Sequence, residues 1–235
     1  GAGNLVDEGP VRAPAVGPVI DAEYLDLDGD GAPEVLVGTS FASDKLLLND
    51  GGGYFRAGPP PPQAGGTQST FVLAGDLDGD GLTDAVVGGD RPRALMNRAG
   101  ALVLGQVFEE ALIERGALGD VDGDGDLDLA ERRGLLGGND GSGIFAPESV
   151  LEPSWGTGAR EGPVGLGDVD GDGDLDWEAV GTSWSYVLFN TRVHSIALDT
   201  LPPELQVDQP VDGTTTVTPP YIAMMRRSEA FWRFF

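Results

Sequence analysis

An eleven-residue stretch, LGDVDGDGDLD, occurs at 118–128 and again, unchanged, at 166–176. Two looser copies precede it, so four loops share one frame: DLDGDGAPE (26–34), DLDGDGLTD (76–84), DVDGDGDLD (120–128) and DVDGDGDLD (168–176). Each crowds four or five carboxylates into nine residues. Like charges at that density repel, and a folded chain holds them together only around a compensating positive charge. The loops begin 44–50 residues apart, a period that suits the four-stranded repeat units of a propeller.

Within each loop the carboxylates alternate. Positions 1, 3 and 5 are Asp26, Asp28 and Asp30; Asp76, Asp78 and Asp80; Asp120, Asp122 and Asp124; and Asp168, Asp170 and Asp172. Glycine at positions 4 and 6 allows the tight curl that turns alternate side chains inward. Position 9 (Glu34, Asp84, Asp128 and Asp176) closes the site from the start of the next strand. The main-chain carbonyl of position 7 (Ala32, Leu82, Asp126 and Asp174) is expected to add another oxygen. A shell of about six oxygens suits Ca²⁺, whereas Mg²⁺ demands a smaller and stricter octahedron. About four calcium ions are therefore expected, one per loop. The first loop departs from the pattern at Pro33 and Glu34. Either the longer Glu34 reaches in bidentately, or that site is weaker.

The flanks repeat as well. An apolar stretch precedes each loop, at 19–25, 70–75, 112–119 and 164–167, and a second follows it, at 35–38, 85–88, 129–130 and 177–180. Their Val-rich runs ending in glycine read as buried strands. A third stretch ends at Asn49, Asn97, Asn139 and Asn190, where Asn followed by Gly, as in NDGGG and NDGSG, marks a tight turn. A fourth strand is expected at 54–57, 102–108, 143–146 and 193–198. The fold class is therefore all-β, a β-propeller of four-stranded blades with a D-x-D-x-D-G-x-x-D loop between the first and second strand of each blade. Residues 1–200 hold the propeller repeats, with full blades at about 17–62, 67–110, 111–153 and 160–200. A partial blade at 1–16 is expected from a turn at Asn4 and a strand at 11–16, so the chain reads as starting in mid-blade. Residues 201–235 form a C-terminal segment, read as ring-closing strands or the start of an immunoglobulin-like module, followed by a tail.

Composition limits the function. The chain has 39 acidic and 14 basic residues and a net charge of −25. Such a surface repels nucleic-acid phosphates and anionic membranes, so no nucleic acid and no membrane insertion are expected. Strongly acidic chains are often disordered, but 40% of these residues are hydrophobic, which supports a packed core. Without cysteine, disulfides and thiolate-bound zinc are excluded.

Three calcium-binding families share part of the loop pattern. An EF-hand needs Glu at position 12 and flanking helices; here that position holds Val37, Val87, Glu131 and Ala179. A dockerin pairs two such loops on helices at a shorter spacing. The third family fits: over about 19–198 the chain resembles the FG-GAP or VCBS repeats of integrin-like β-propellers. The signatures that name FG-GAP are poorly kept, so the bacterial VCBS variety is the nearer likeness. The resemblance implies a structural calcium ion in each loop, held at positions 1, 3, 5 and 9. It also implies recognition of proteins or carbohydrates outside the cell.

No catalytic set emerges. His194 is the sole histidine, and its neighbour Ser195 points to the opposite face of a strand. Trp155, Trp177, Trp184 and Tyr186 cluster in sequence and are expected to fill space between blades rather than to stack on sugar. The function expected is that of a secreted, bacterial, calcium-stabilised module for binding or adhesion, its partner an extracellular protein or glycan and not a substrate. The alternatives are a lectin with one sugar pocket per blade, the propeller part of a polysaccharide-degrading enzyme, and a structural subunit of a surface fibre that pairs with neighbouring copies.

Overall fold

The structure, a computed structural model, describes residues 12–108, 113–131, 134–147, 163–180, 184–190 and 222–226. These form sixteen strands in four antiparallel sheets of four, each a simple meander in chain order. The first sheet holds β1 (Val19–Leu25), β2 (Glu34–Thr39), β3 (Lys45–Asn49) and β4 (Phe55–Ala57). The second holds β5 (Ser69–Gly75), β6 (Asp84–Gly89), β7 (Arg93–Asn97) and β8 (Leu102–Val107). The third holds β9 (Gly116–Gly119), β10 (Asp128–Glu131), β11 (Gly134–Asn139) and β12 (Phe145–Pro147). The fourth holds β13 (Val164–Gly167), β14 (Asp176–Val180), β15 (Trp184–Leu188) and β16 (Ile222–Arg226). No helix among the described residues is long and apolar enough to cross a membrane.

Each acidic loop joins the first strand of its sheet to the second. The first strands also adjoin in series, β1 against β5, β5 against β9 and β9 against β13. Sheets therefore stack face to face, with an apolar layer at each junction. Leu25, Leu36, Val72, Val87 and Leu95 fill the first junction. Phe71, Val86, Phe108, Ile113, Leu129 and Phe145 fill the second. Trp177 packs with Ala130 at the third, beside Val164, Leu166 and Leu188. Strand β6 shows why the second strands read as continuous apolar runs. All six of its residues are buried, with Ala85 and Val87 in one junction and Val86 in the other, as expected for a strand covered on both faces.

Close approach of the sheets sets the residue before the second and third loops. A Cβ on Gly75 would lie 2.5 Å from Leu127 Cδ1, and one on Gly119 would lie 2.7 Å from Leu175 Cδ1. Leu127 and Leu175 stand at position 8 of the following loop, so Gly75 and Gly119 make room for the next sheet. Where Leu25 replaces the glycine, the following loop carries the smaller Thr83 at position 8.

Two expectations are corrected. The strand paired with β15 is Ile222–Arg226, and not the stretch 193–198, which lies outside the described residues. The apolar IAMM run of the C-terminal segment supplies the edge. The expected strand at 11–16 does not form over its described part, residues 12–16, where Pro14 lacks a ladder donor. Arg12 instead sits 4.7 Å over the Tyr54 ring and donates to the Gly52 carbonyl at 3.1 Å.

Candidate metal centres

The loops are built by their glycines. Positions 4 and 6 of all four adopt left-handed backbone, with φ between +69° and +100°, a region that glycine enters without strain. The curl folds the carboxylates back onto the loop's own N–H groups. Position 1 accepts from position 6: Asp26 from Gly31 at 3.0 Å, Asp76 from Gly81 at 2.9 Å, Asp120 from Gly125 at 3.1 Å and Asp168 from Gly173 at 3.2 Å. Position 5 accepts from position 7: Asp30 from Ala32 at 2.7 Å, Asp80 from Leu82 at 2.9 Å, Asp124 from Asp126 and Asp172 from Asp174, both at 3.0 Å.

Three of the expected ligand positions converge in every loop. One carboxylate oxygen from each of positions 1, 3 and 9 lies within 4.8 Å of the others: Asp26, Asp28 and Glu34; Asp76, Asp78 and Asp84; Asp120, Asp122 and Asp128; Asp168, Asp170 and Asp176. Position 5 stands outside these groups of three. Some of the converging oxygens lack any donor. Asp76 Oδ1, Asp78 Oδ1 and Asp120 Oδ1 are buried without a hydrogen-bond partner, and an orphaned anionic oxygen costs far more than a paired one. Hard, anionic, convergent oxygens form a donor set that fits Ca²⁺.

Position 9 does more than the sequence suggests. Its carboxylate is buried in all four loops, with exposures of 3%, 0%, 0% and 1% for Glu34, Asp84, Asp128 and Asp176. One oxygen accepts from position 2 of its own loop, at 3.0 Å from Leu27, 2.9 Å from Leu77, and 2.8 Å from Val121 and Val169. The other accepts from the N–H of the turn asparagine, at 3.4 Å from Asn49, 2.6 Å from Asn97, 2.9 Å from Asn139 and 2.8 Å from Asn190. Glu34 makes the same two bonds as the aspartates, so its extra methylene is accommodated. Burial pushes the carboxyls of Asp84 and Asp128 above the usual range, against the pull of these N–H donors.

The turn asparagine proves to be an inter-sheet joint, a role that its turn signature hides. Asn97 Nδ2 donates across the first junction to Leu27 O at 2.9 Å. Asn139 Nδ2 donates to Leu77 O at 2.7 Å, and Asn190 Nδ2 to Val121 O at 2.6 Å. Each acceptor is position 2 of the preceding loop. The signal in the sequence is the return of Asn 19–23 residues after every loop start; periodicity marks it as important but does not reveal its partner. Other joints were also missed. Arg93 and Asp44 form a buried ion pair between the first two sheets. Gln106 clasps Phe145 through both its backbone N–H (2.7 Å) and its carbonyl (2.9 Å). Trp177 fills a junction as expected and donates its indole N–H to Glu131 O at 3.1 Å. His194, Ser195 and Trp155 lie outside the described residues.

Comparison with known proteins agrees with this plan over part of the chain. No curated protein matches it in sequence. Among solved structures, the crystal structure of the V. cholerae biofilm matrix protein Bap1 aligns with 72% of this chain and 26% of that one, at 16% identity and a TM-score of 0.48. The chain thus spans about a quarter of that protein. The model of the FG-GAP-like repeat family matches residues 26–87, from the first acidic loop through the second. Over residues 26–87, about a quarter of its length, the chain is thus similar to FG-GAP-like repeats.

Proposed function

We infer that the chain is a calcium-stabilised β-propeller module that binds a protein or carbohydrate outside the cell and carries out no catalysis of its own. One observation carries the calcium reading: four loops repeat the same convergence of carboxylates at positions 1, 3 and 9, with oxygens left buried and unpaired in the second and third. In each loop, positions 1, 3, 5 and 9 and the carbonyl of position 7 would hold the ion. Ca²⁺ supplies the two positive charges that let carboxylates lie this close. The propeller reading is supported by sequential four-stranded meanders whose first strands adjoin in series. The reading of an extracellular binding role, secretion included, is supported by the likeness of residues 26–87 to FG-GAP-like repeats, a family that is generally non-catalytic.

The test is a calorimetric calcium titration of metal-stripped protein, with thermal melts in parallel. About four ions bound and a large rise in melting temperature are expected, followed by calcium-dependent capture on glycan and matrix-protein arrays. With free calcium at a hundred times the dissociation constant, each site adds about 2.7 kcal/mol. Absence of both binding and a melting shift would reduce the loops to acidic turns.

A further inference from the structure

The four loops share one plan but not one charge. The residue after the turn asparagine is Asp50, Arg98, Asp140 or Thr191. At the second loop this residue reaches back to the carboxylates. Arg98 Nη2 lies 2.7 Å from Asp78 Oδ2, and Nη1 lies 3.4 Å from Asp80 Oδ2. Nη1 also donates to Asn97 O at 2.9 Å, which fixes the guanidinium over the turn. Arg98 pairs with positions 3 and 5. It takes Asp78 Oδ2, while Asp78 Oδ1 and Asp76 Oδ1 keep no partner.

The equivalent residue of the third loop has the opposite sign. There the position-7 side chain, Asp126, lies against the turn: a Cβ on Gly141 would be 2.7 Å from its Oδ2. Asp140, next to Gly141 in sequence, adds a further negative charge on that turn. The second loop therefore combines four carboxylates with a guanidinium, and the third combines five with a sixth from Asp140.

We propose that the residue after the turn asparagine grades the four calcium sites, and that Arg98 is a resident counter-cation that makes the second loop the weakest in binding calcium and the least dependent on it. The grading rests on the calcium reading above. A guanidinium bound to Asp78 and Asp80 withdraws charge from two ligand positions and repels an incoming divalent ion. Without that ion it offsets the repulsion among Asp76, Asp78 and Asp84, so the second sheet keeps its loop closed. Asp140 acts in reverse, adding attraction when calcium is present and repulsion when it is absent.

The test compares the full chain with its Arg98→Gln, Arg98→Lys and Asp140→Asn variants, each stripped of metal and titrated with calcium by calorimetry. Arg98→Gln is expected to tighten the weakest site by about two- to tenfold, the range open to one half-exposed charge, and to lower the calcium-free melting temperature. Arg98→Lys keeps the charge and should restore both values toward those of the parent. Asp140→Asn should weaken the tightest class by a similar factor and raise the calcium-free melting temperature. If Arg98→Gln binds calcium as the parent does, or more weakly, the grading is overturned while the calcium reading stands. A parent chain that binds no calcium overturns both.

Discussion

Replacing Asn139 by Ala tests the joint between the second and third sheets directly. Asn139 is 3% exposed. Its Nδ2 donates to Leu77 O at 2.7 Å and Leu127 O at 3.2 Å, and its Oδ1 accepts from Gly143 N at 3.1 Å. Truncation leaves two carbonyls and one N–H without their partner, at about 1–3 kcal/mol for each group that water cannot reach. Partial hydration at the loop rim lowers the sum, and a loss of about 3–5 kcal/mol is expected. Asn49→Ala is the internal control. Asn49 bonds only within its own sheet, to Pro33 O at 3.1 Å and from Gly51 N and Gly53 N at 3.1 and 3.2 Å, and those bonds lie nearer solvent. It should cost about 1–2 kcal/mol. The difference, about 2 kcal/mol, is the share of the bond to Leu77 O. Urea unfolding in saturating calcium measures both variants. Stacked repeats unfold as one unit only while their junctions hold, so Asn139→Ala should also broaden or split the transition. Equal losses for the two variants, with both transitions sharp, would refute the joint.

Three further outcomes follow from contacts elsewhere in the molecule. Asp44→Ala leaves the buried Arg93 guanidinium without its carboxylate, and also removes the acceptor for Thr39 N at 2.9 Å and Ser69 Oγ at 2.8 Å; a loss of about 3–5 kcal/mol in urea unfolding is expected, much of it recovered by Asp44→Leu with Arg93→Met. Gly88→Ala puts a methyl 2.0 Å from Phe71 Cε1 and should lower stability by about 1–3 kcal/mol, with partial rescue by Phe71→Leu. Burial works to raise the Asp90 carboxyl, but the N–H groups of Thr67 and Gln68 and the Thr67 hydroxyl outweigh it and hold the group below its usual range. That stabilisation is present above the unfolded value of 3.8 and is lost as pH falls through the lower folded value. Melting temperature in the parent should therefore drop more steeply in this acid range than in Asp90→Asn.

The periodic parts of this molecule were legible and the long-range parts were not. Glycines at positions 4 and 6, alternating aspartates and Val-rich runs are local signals, and they located the loops and the second strands to within a residue or two. The fourth strand of the fourth sheet escaped because β16 pairs with β15 across more than thirty intervening residues, and no local pattern encodes such a return. Alternation alone cannot distinguish position 5 from positions 1 and 3, and only positions 1, 3 and 9 converge. Asn139 announced a turn through Asn-Asp-Gly but not its bond to Leu77, 62 residues away. Arg93 and Asp44, 49 residues apart, carry no motif at all.

The joints place each loop in contact with the next through a single residue, position 2, and this predicts coupling between ions. Asp128 grips Val121 N, and Val121 O receives Asn190 Nδ2 from the fourth sheet. Asn190 N in turn bonds Asp176, position 9 of the fourth loop. Asp128 also accepts from Asp122 N at 3.3 Å, the N–H of the peptide whose carbonyl is Val121 O, so a cation that orders Asp128 orders the peptide that orients Asn190, and with it Asp176. Among the described residues no such single link joins the first loop to the fourth, because two sheets lie between them. Trp177, next in sequence to Asp176, offers an optical probe of the fourth loop by sensitising terbium held there. Asp120→Asn should remove the third ion and weaken terbium binding at the fourth loop by about two- to fivefold, the low end of ordinary coupling energies. Asp26→Asn should remove the first ion and leave that signal unchanged. Position 1 is the right place to cut, since Asp120 and Asp26 take no part in the joints, whereas position 9 would break ligand and joint together. Equal effects from the two variants would mean that loss of stability travels through the whole stack; no effect from either would mean that each loop folds around its ion alone.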